Sequence, residues 1–140
     1  MKIGELAKKS GLSAHTLRFY EKQGLIKVNN RSESNYRIYS QSDLETAKFI
    51  KRCRDMGFSL EEVDVFLSIR SDRPAHICAD AKTITELKIT EVEDKISELQ
   101  QILAALHKLS DACCGGNESA ELCSIIDALD NDKEQNKQEA

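Results

Sequence analysis

The sequence has 140 residues, 40% hydrophobic and 31% charged, with one proline, six glycines and no tryptophan, which predicts a helix-leaning chain of one domain, or of a small domain with an extension. No apolar run occurs at the start and no stretch approaches the length of a membrane span, so we expect a cytoplasmic protein without a signal peptide or a membrane partner. Five cysteines, an odd number, favour reduced thiolate chemistry over a disulfide framework.

The net charge of −4 is unevenly distributed. Residues 1–54 contain twelve Lys and Arg against five Asp and Glu, a balance of +7. Residues 76–140 contain six against fourteen, a balance of −8. This separation indicates two tasks in one chain, and the basic first part is the one that could contact the phosphates of a nucleic acid.

Two short helices are predicted first. One begins near Ile3 and is broken at Gly11, while Ser13 is a suitable N-cap for a second helix that ends near Gly24. Together with the turn between them they indicate a helix-turn-helix. Their apolar positions are Ile3, Leu6, Ala7, Leu12, Leu17 and Tyr20.

A hairpin is predicted within residues 25–40. The polar turn segment 29–35 precedes Tyr36-Arg37-Ile38-Tyr39, whose alternation is typical of a short strand. After a helix-turn-helix such a hairpin is a wing, although a plain connecting loop is the alternative. Arg31, Arg37 and two tyrosines form the basic and aromatic mixture that suits a contact with a DNA backbone or groove.

Two capping boxes predict the next two helices. Ser42-Asp43-Leu44-Glu45 would open a helix that runs to about Arg54, and Ser59-Leu60-Glu61-Glu62 another that runs to about Ile69. Cys53 lies on an apolar face with Phe49 and Ile50, so it is interpreted as a core residue. Pro74 ends this compact unit, because proline cannot continue a helix.

A coiled-coil helix is predicted over residues 81–110. Its apolar positions follow a heptad spacing, at Ile89, Val92, Ile96, Leu99, Leu103 and Leu106. One helix cannot bury such a seam alone, so a partner helix is expected. The helix would be about 45 Å long.

A cysteine-rich loop follows that helix. Gly115-Gly116-Asn117 can turn sharply, so Cys113 and Cys123 can face one centre, as thiolate ligands around a soft or borderline metal would. This pattern predicts a metal or redox site. If Cys78, before the long helix, is also a ligand, the dimer must be antiparallel and the site shared between subunits.

Several of these segments resemble the MerR family of bacterial transcription regulators. The segments are Ile3-Gly4-Glu5-Leu6-Ala7, Thr16-Leu17-Arg18-Phe19-Tyr20-Glu21, Asn35-Tyr36-Arg37-Ile38-Tyr39 and Met56-Gly57-Phe58-Ser59-Leu60. Residues 111–125 look like the ZntR-type, zinc-responsive branch. The resemblance covers residues 1–129. It implies a mostly α fold: a winged helix-turn-helix DNA-binding domain, a long antiparallel coiled-coil dimerisation helix, and a short metal-binding loop and helix.

The resemblance also implies an activity. Such a homodimer binds a palindromic operator between promoter elements that are spaced too far apart, and its metal-bound form distorts and underwinds this DNA so that RNA polymerase can engage. The predicted DNA-binding residues are His15, Thr16, Arg18, Tyr20, Arg31, Tyr36, Arg37 and Arg54. The predicted domains are residues 1–70 for DNA binding, a linker 71–80, the coiled coil 81–110, the metal loop and short helix 111–129, and a disordered tail 130–140.

The predicted metal ligands are Cys78, Cys113, Cys114, Glu118 and Cys123. The resemblance implies a ligand role for Cys78, because divalent-metal sensors of the family have cysteine there. Glu118 stands where the ZntR-type pattern has a histidine ligand, and His76 or His107 could substitute for it. Zn²⁺ is the predicted ion, with Cd²⁺ or Pb²⁺ as alternatives.

Two alternative functions remain open from the sequence. A thiol redox regulator on the same scaffold would use Cys113, Cys114 and Cys123 directly. A thiolate metal enzyme or carrier is a third class, but no general base is placed among the cysteines, and a carrier would not need the basic first part. The sequence therefore predicts a regulator and not an enzyme.

Overall fold

The structure of the protein is a computed structural model, which describes residues 1–27, 30–31 (backbone only), 33 and 36–131. Within these residues the chain forms two compact units, here called the N-terminal unit, Met1–Lys88, and the C-terminal unit, Ile89–Ala140. The helices are α1 Ile3–Ser10, α2 Ala14–Lys22, α3 Gln41–Asp55, α4 Leu60–Ser71, α5 Cys78–Asp111 and α6 Ser124–Leu129, and the strands are β1 Asn30–Arg31 and β2 Arg37–Ile38. Single 3₁₀ turns occur at Arg73–Ala75 and Ala120–Leu122.

The helix-turn-helix is confirmed, and its turn is made by the predicted residues. Gly11 adopts φ 79°, a left-handed conformation that glycine tolerates, and its N–H donates to the Ala7 carbonyl at 3.0 Å to close α1. Ser13 then caps α2, because its hydroxyl oxygen accepts from the Thr16 N–H at 3.0 Å. Because only a short segment joins these two caps, it fixes the direction of α2 relative to α1.

The wing and helices α1 to α4 surround one hydrophobic core. The two strands pair antiparallel, with Asn30 opposite Ile38 and Arg31 opposite Arg37. Tyr39 then enters the core and exchanges backbone hydrogen bonds with Met1. The buried apolar side chains are Leu6, Leu17, Tyr20, Leu25, Ile26, Tyr39, Leu44, Ala47, Ile50, Phe58 and Val63.

One of the two predicted capping boxes is wrong in position. Helix α3 is capped by Ser40 and not by Ser42: the Ser40 hydroxyl oxygen accepts from the Asp43 N–H at 3.1 Å, and the Asp43 carboxylate accepts from the Ser40 N–H at 2.8 Å. Ser40 is the last extended residue after Tyr39, so the cap falls there, and an aspartate returns the bond as well as a glutamate does. The second box, Ser59 with Glu62, is confirmed at the start of α4.

Helix α5 begins at Cys78, three residues before the predicted start at residue 81. The reason is Asp80, whose carboxylate accepts from the Ile77 N–H at 3.1 Å and lies 3.3 Å from His76 Nδ1. This local capping starts the helix inside the segment predicted as a linker. Farther along α5, Lys88 Nζ lies 2.9 Å from the Glu62 carboxylate of α4.

In the C-terminal unit, α5 exposes the predicted heptad seam. Its members are 41–63% exposed in the single chain: Ile89, Val92, Ile96, Leu99, Leu103 and Leu106. The short helix predicted within residues 111–129 is α6, and a separate 3₁₀ turn precedes it because Cys123 between them adopts an extended conformation. The tail predicted over residues 130–140 lies outside the described residues beyond Asn131. Among the described helices, none is long and apolar enough to cross a membrane.

Candidate functional site

The exposed face of α2 presents polar and aromatic side chains near its start. His15, Arg18 and Phe19 are exposed, and the Phe19 side chain retains 43% of its surface. The second helix of a helix-turn-helix is the one that enters the major groove, where such side chains meet base edges and phosphates. Phe19 was not among the predicted contact residues, although it lies four positions after His15 and therefore shares its helix face.

Two predicted contact residues of α2 lie elsewhere. Tyr20 is only 6% exposed and belongs to the hydrophobic core, so most of its surface packs inside the N-terminal unit. Thr16 contributes to the N-cap, where its hydroxyl oxygen accepts from the Ser13 hydroxyl at 2.8 Å. These positions connect both residues with the orientation of α2, and their contacts with DNA stay predictions.

A basic notch of about 530 Å³ lies between the start of α1, α2 and the wing. Its lining, which defines the notch below, consists of Lys2, Ile3, Gly4, Glu5, Arg18, Tyr36, Arg37 and Tyr39. The Lys2 ammonium lies 5.1 Å from the centre of the Tyr36 ring, within the range of a cation–π contact. Three cations therefore converge at one end of the N-terminal unit, as a surface that binds phosphates requires.

The carboxylate of Glu21, on the last turn of α2, is held by two wing residues. Its Oε1 lies 3.1 Å from Arg37 Nε, and its Oε2 accepts from the Tyr39 hydroxyl at 3.2 Å. Burial raises the pKa of Tyr39, and the Glu21 charge raises it further. The wing is thus linked to α2 through side chains as well as through the backbone.

The two remaining predicted DNA contacts are Arg54, at the end of α3, and Arg31, in the wing. Arg54 is exposed at the end of α3, and its Nη1 donates to the Phe58 carbonyl at 2.8 Å across the turn into α4. The backbone of Arg31 pairs with Arg37, while its side chain lies outside the described residues. Arg54 is therefore oriented by the fold, whereas the orientation of the Arg31 side chain stays a prediction.

In the C-terminal unit, the loop after α5 brings the thiols of Cys113 and Cys123 near each other. Gly115 supplies the turn with φ 73°, and its N–H donates to Cys113 Sγ at 3.5 Å. Cys123 precedes α6, and the N–H groups of Ile126 and Ile125 lower the pKa of its thiol, with a smaller contribution from Cys113. The loop therefore holds two neighbouring thiols, and the pKa of the Cys123 thiol is lower than that of an ordinary cysteine.

A second pair of donor groups lies in the same loop. Cys114 Sγ is 3.9 Å from the Glu118 carboxylate. A side chain at Gly116 would come within 2.9 Å of that carboxylate and 3.5 Å of Cys114 Sγ, so the glycine leaves room for both groups. A thiol and a carboxylate are both ligands that zinc accepts.

The remaining cysteines belong to the N-terminal unit. Cys78 is exposed at the first turn of α5. Cys53 packs against the hydrophobic core, as predicted, and burial raises the pKa of its thiol. In the part of the chain that the structure describes, no three His, Cys, Asp or Glu side chains of one chain are arranged to hold a metal ion.

Comparisons with known proteins identify the family. Residues 1–68 match the MerR HTH family regulatory protein and residues 44–109 match the MerR DNA-binding family. The chain is 44% identical over 129 residues to the HTH-type transcriptional regulator ZntR of Escherichia coli K12, covering 92% of each protein. It is 40% identical over 128 residues to the mercuric resistance operon regulatory protein of Bacillus cereus, covering 91% of this chain and 96% of that protein.

A solved structure agrees with these relatives. The transcription regulator PbrR691 of Ralstonia metallidurans CH34, in complex with lead(II), superposes with a TM-score of 0.79 at 35% identity. The similarity covers 92% of this chain and 98% of that one. The relatives are transcription regulators and not enzymes. The chain therefore belongs to the MerR family and is a metal-responsive, DNA-binding transcription regulator.

Proposed function

We propose that the protein is a homodimeric, zinc-responsive activator that binds a palindromic operator in a promoter and controls a metal efflux gene. The observation that carries the metal part is the proximity of the Cys113 and Cys123 thiols in a loop where Gly115 turns the chain with φ 73° and backbone N–H groups lower the pKa of Cys123. A thiol that ionises readily is a better metal ligand, since the thiolate is the form that binds. Cd²⁺ and Pb²⁺ are the alternative ions.

In this proposal the N-terminal unit binds the operator. Arg18 and His15 on α2 reach the major groove, while Tyr36, Arg37 and Arg54 hold the phosphate backbone. The exposure of α2 and the cations of the basic notch support these roles. Arg31 is assigned to the same backbone contact from its position in the wing, and Tyr20 and Thr16 act chiefly by orienting α2.

The dimer in this proposal is an antiparallel coiled coil. Six large apolar side chains are half-exposed along α5 at heptad spacing, from Ile89 to Leu106. A continuous apolar stripe of this kind is unfavourable in water and is typical of a helix that packs against another helix. Two copies of the N-terminal unit would then meet the two halves of a palindrome.

The first metal ion is proposed to bind Cys113 and Cys123 of one chain together with the partner subunit's Cys78. Two thiolates supply half of a tetrahedral zinc site, and the exposed Cys78 is available as a third ligand. A second ion would use Cys114 and Glu118, whose groups are already adjacent, together with the same Cys78. His76 and His107 remain candidate replacements for Glu118.

The proposed switch acts through the dimer. Ligands from two chains favour the dimer arrangement in which they converge, and only such a difference in affinity can shift an equilibrium between two shapes. The favoured arrangement would reorient the two N-terminal units on the operator. The distorted DNA would then let RNA polymerase engage promoter elements that are otherwise too far apart.

The test is a cysteine series assayed for operator binding and for zinc-dependent transcription. The operator is a duplex selected from a random-sequence pool by the wild-type protein. Cys78→Ser, Cys113→Ser and Cys123→Ser should each bind this duplex normally but lose activation by zinc. Cys53→Ser is the matched control, because its thiol packs against the core, and it should respond to zinc like the wild type.

Two outcomes would redirect the proposal. If Cys78→Ser responds to zinc like the wild type, the shared site is wrong. A redox regulator is the second candidate, since the adjacent Cys113 and Cys123 thiols would also suit thiol exchange. It predicts activation by a disulfide reagent in the presence of a chelator, which a metal sensor would not show.

A further inference from the structure

Glu21 occupies a position that should be unfavourable for a carboxylate. It lies on the last turn of α2, where the helix dipole favours cations over anions. It also lies beside the basic notch, where a negative charge would repel the phosphates of bound DNA. Favourable contacts of the carboxylate must offset both effects if Glu21 is to assist DNA binding.

Glu21 makes such contacts with the wing. Its side chain is only 15% exposed, and each carboxylate oxygen is engaged by a different residue of the wing. Arg37 is bound through Nε, which uses one of the five guanidinium N–H donors, and its guanidinium also interacts with the Tyr39 hydroxyl, so that further donors on its terminal NH₂ groups remain for another anion. Tyr39 is buried and fixed to Met1 by backbone hydrogen bonds. Its hydroxyl therefore holds the Glu21 carboxylate from a fixed position.

We propose that Glu21 is a positioning residue for DNA binding, which fixes the Arg37 guanidinium relative to α2 so that its terminal NH₂ groups meet a phosphate while α2 lies in the major groove. The link acts on two DNA-contacting elements at once. A flexible Arg37 side chain would lose conformational entropy when it binds DNA. An Arg37 side chain already held by Glu21 loses less, so binding is more favourable. This inference rests on the proposed contact between Arg37 and the DNA backbone.

The proposal predicts the sign of a mutation. Removing a carboxylate near DNA should raise affinity if only charge matters, since repulsion falls. If Glu21 positions Arg37, Glu21→Ala should instead lower affinity for the selected operator duplex by about tenfold. It should also lower the salt dependence of binding by about 0.9, the value of one phosphate contact.

Three further variants make the test specific. Glu5→Ala removes another carboxylate of the same notch, which pairs with Lys9, and it should raise affinity slightly. Glu21→Gln keeps an oxygen to accept from Arg37 and should retain most of the binding. Tyr39→Phe removes only the hydroxyl that donates to Glu21 and should cause a loss smaller than that of Glu21→Ala.

The outcomes separate the inference from the assignment on which it rests. If Arg37→Ala binds like the wild type, the phosphate contact of Arg37 is wrong. If Arg37→Ala weakens binding while Glu21→Ala does not, only the positioning role is overturned. The double variant should bind like Arg37→Ala alone, since the two residues act as a unit. If Glu21→Ala does not fold, unchanged binding and salt dependence in Tyr39→Phe would overturn the role instead.

Discussion

The two units of the chain differ in where their apolar side chains lie. In the N-terminal unit the large apolar residues converge on one core, and Leu6, Leu17, Ile50 and Val63 are almost completely shielded from water. In the C-terminal unit the apolar residues of α5, of the 3₁₀ turn Ala120–Leu122 and of α6 remain largely exposed, with Leu122 the most exposed of them. The first unit therefore has a core of its own, whereas the second presents apolar side chains that the proposed dimer would cover.

This difference shows how the same kind of residue can serve two purposes. Leucine and isoleucine in α1 to α4 stabilise the fold of one chain, since burying each side chain contributes about 1.5–3 kcal/mol. The same residues at heptad spacing on α5 gain that free energy only on association. Folding of the C-terminal unit should thus depend on protein concentration, and folding of the N-terminal unit should not.

The strongest way to break this comparison is to place charge on the stripe of α5. Replacing Ile96 and Leu99 with Asp should give monomers, because two carboxylates cannot be buried in a helix–helix interface without a large cost. The affinity for the operator should fall by about a hundredfold or more, since a single N-terminal unit contacts only one half-site. Sedimentation equilibrium and a gel shift on the selected duplex measure both effects.

The matched control puts the same charges on the same helix away from the stripe. Ser97→Asp with Gln101→Asp changes two exposed positions between the heptad residues and should remain dimeric. If the control dissociates to the same extent, net charge and not the stripe is responsible. A wild-type protein that sediments as a monomer would remove the basis for the intersubunit metal site.

A smaller effect is expected from the ion pair at the end of the N-terminal unit. Glu62 receives the Ser59 N–H and lies 2.9 Å from Lys88, and these contacts lower the pKa of its carboxyl, Ser59 most and Lys88 next. Glu62→Gln keeps the capping bond but loses the ion pair, so it should reduce the free energy of unfolding by about 1 kcal/mol at pH 7. Urea unfolding of both proteins measures the difference.

The pH dependence of that difference has a defined sign. A carboxyl whose pKa is lowered by folding contributes its stability above the unfolded pKa of about 4.3 and loses it as the pH falls through the lower folded value. The gap between wild type and Glu62→Gln should therefore shrink below about pH 4. Glu61→Gln, at the exposed preceding position, should change stability little at any pH. A gap that persists unchanged at low pH would contradict a role for the charge.

Local patterns in the sequence predicted most of the fold, because helix caps and heptads are set by residues close in the chain. Ser13 and the Ser59–Glu62 box are examples. The α3 cap was misplaced because Ser40 and Ser42 both suit the pattern, and the choice depends on Tyr39, which pairs with Met1 at the start of the chain. Such a contact is not visible in a short sequence window.

The candidate site was predicted less completely, for the same reason. The cysteine loop could be read from its spacing, and the family resemblance supplied Arg18 and Arg37. The link from Glu21 to the wing, and the position of Lys2 over Tyr36, join residues far apart in sequence. The burial of Tyr20 depends on how α2 packs against the rest of the N-terminal unit. The family motif that contains Tyr20 therefore did not reveal that its side chain belongs to the core.

The smallest expected effect concerns the thiols, which differ between the two units as the apolar residues do. Burial raises the pKa of Cys53, whereas the N–H groups of Ile126 and Ile125 lower that of Cys123. The thiolate is the reactive form, so a neutral alkylating reagent at pH 7.5 should modify Cys123 at least several-fold faster than Cys53 in metal-free protein. Peptide mass spectrometry of samples taken over time measures both rates.

Substituting Cys53 tests the same contrast from the other side. Cys53→Ala removes a small, partly buried group and should lower the free energy of unfolding by about 1 kcal/mol or less, without changing operator binding or the zinc response. Zinc should slow the alkylation of Cys123 and leave the rate at Cys53 unaltered, because Cys123 is a proposed ligand and Cys53 is not. Protection of Cys53 by zinc would mean that a thiol of the N-terminal unit's core binds metal, and the division of tasks between the two units would then be wrong.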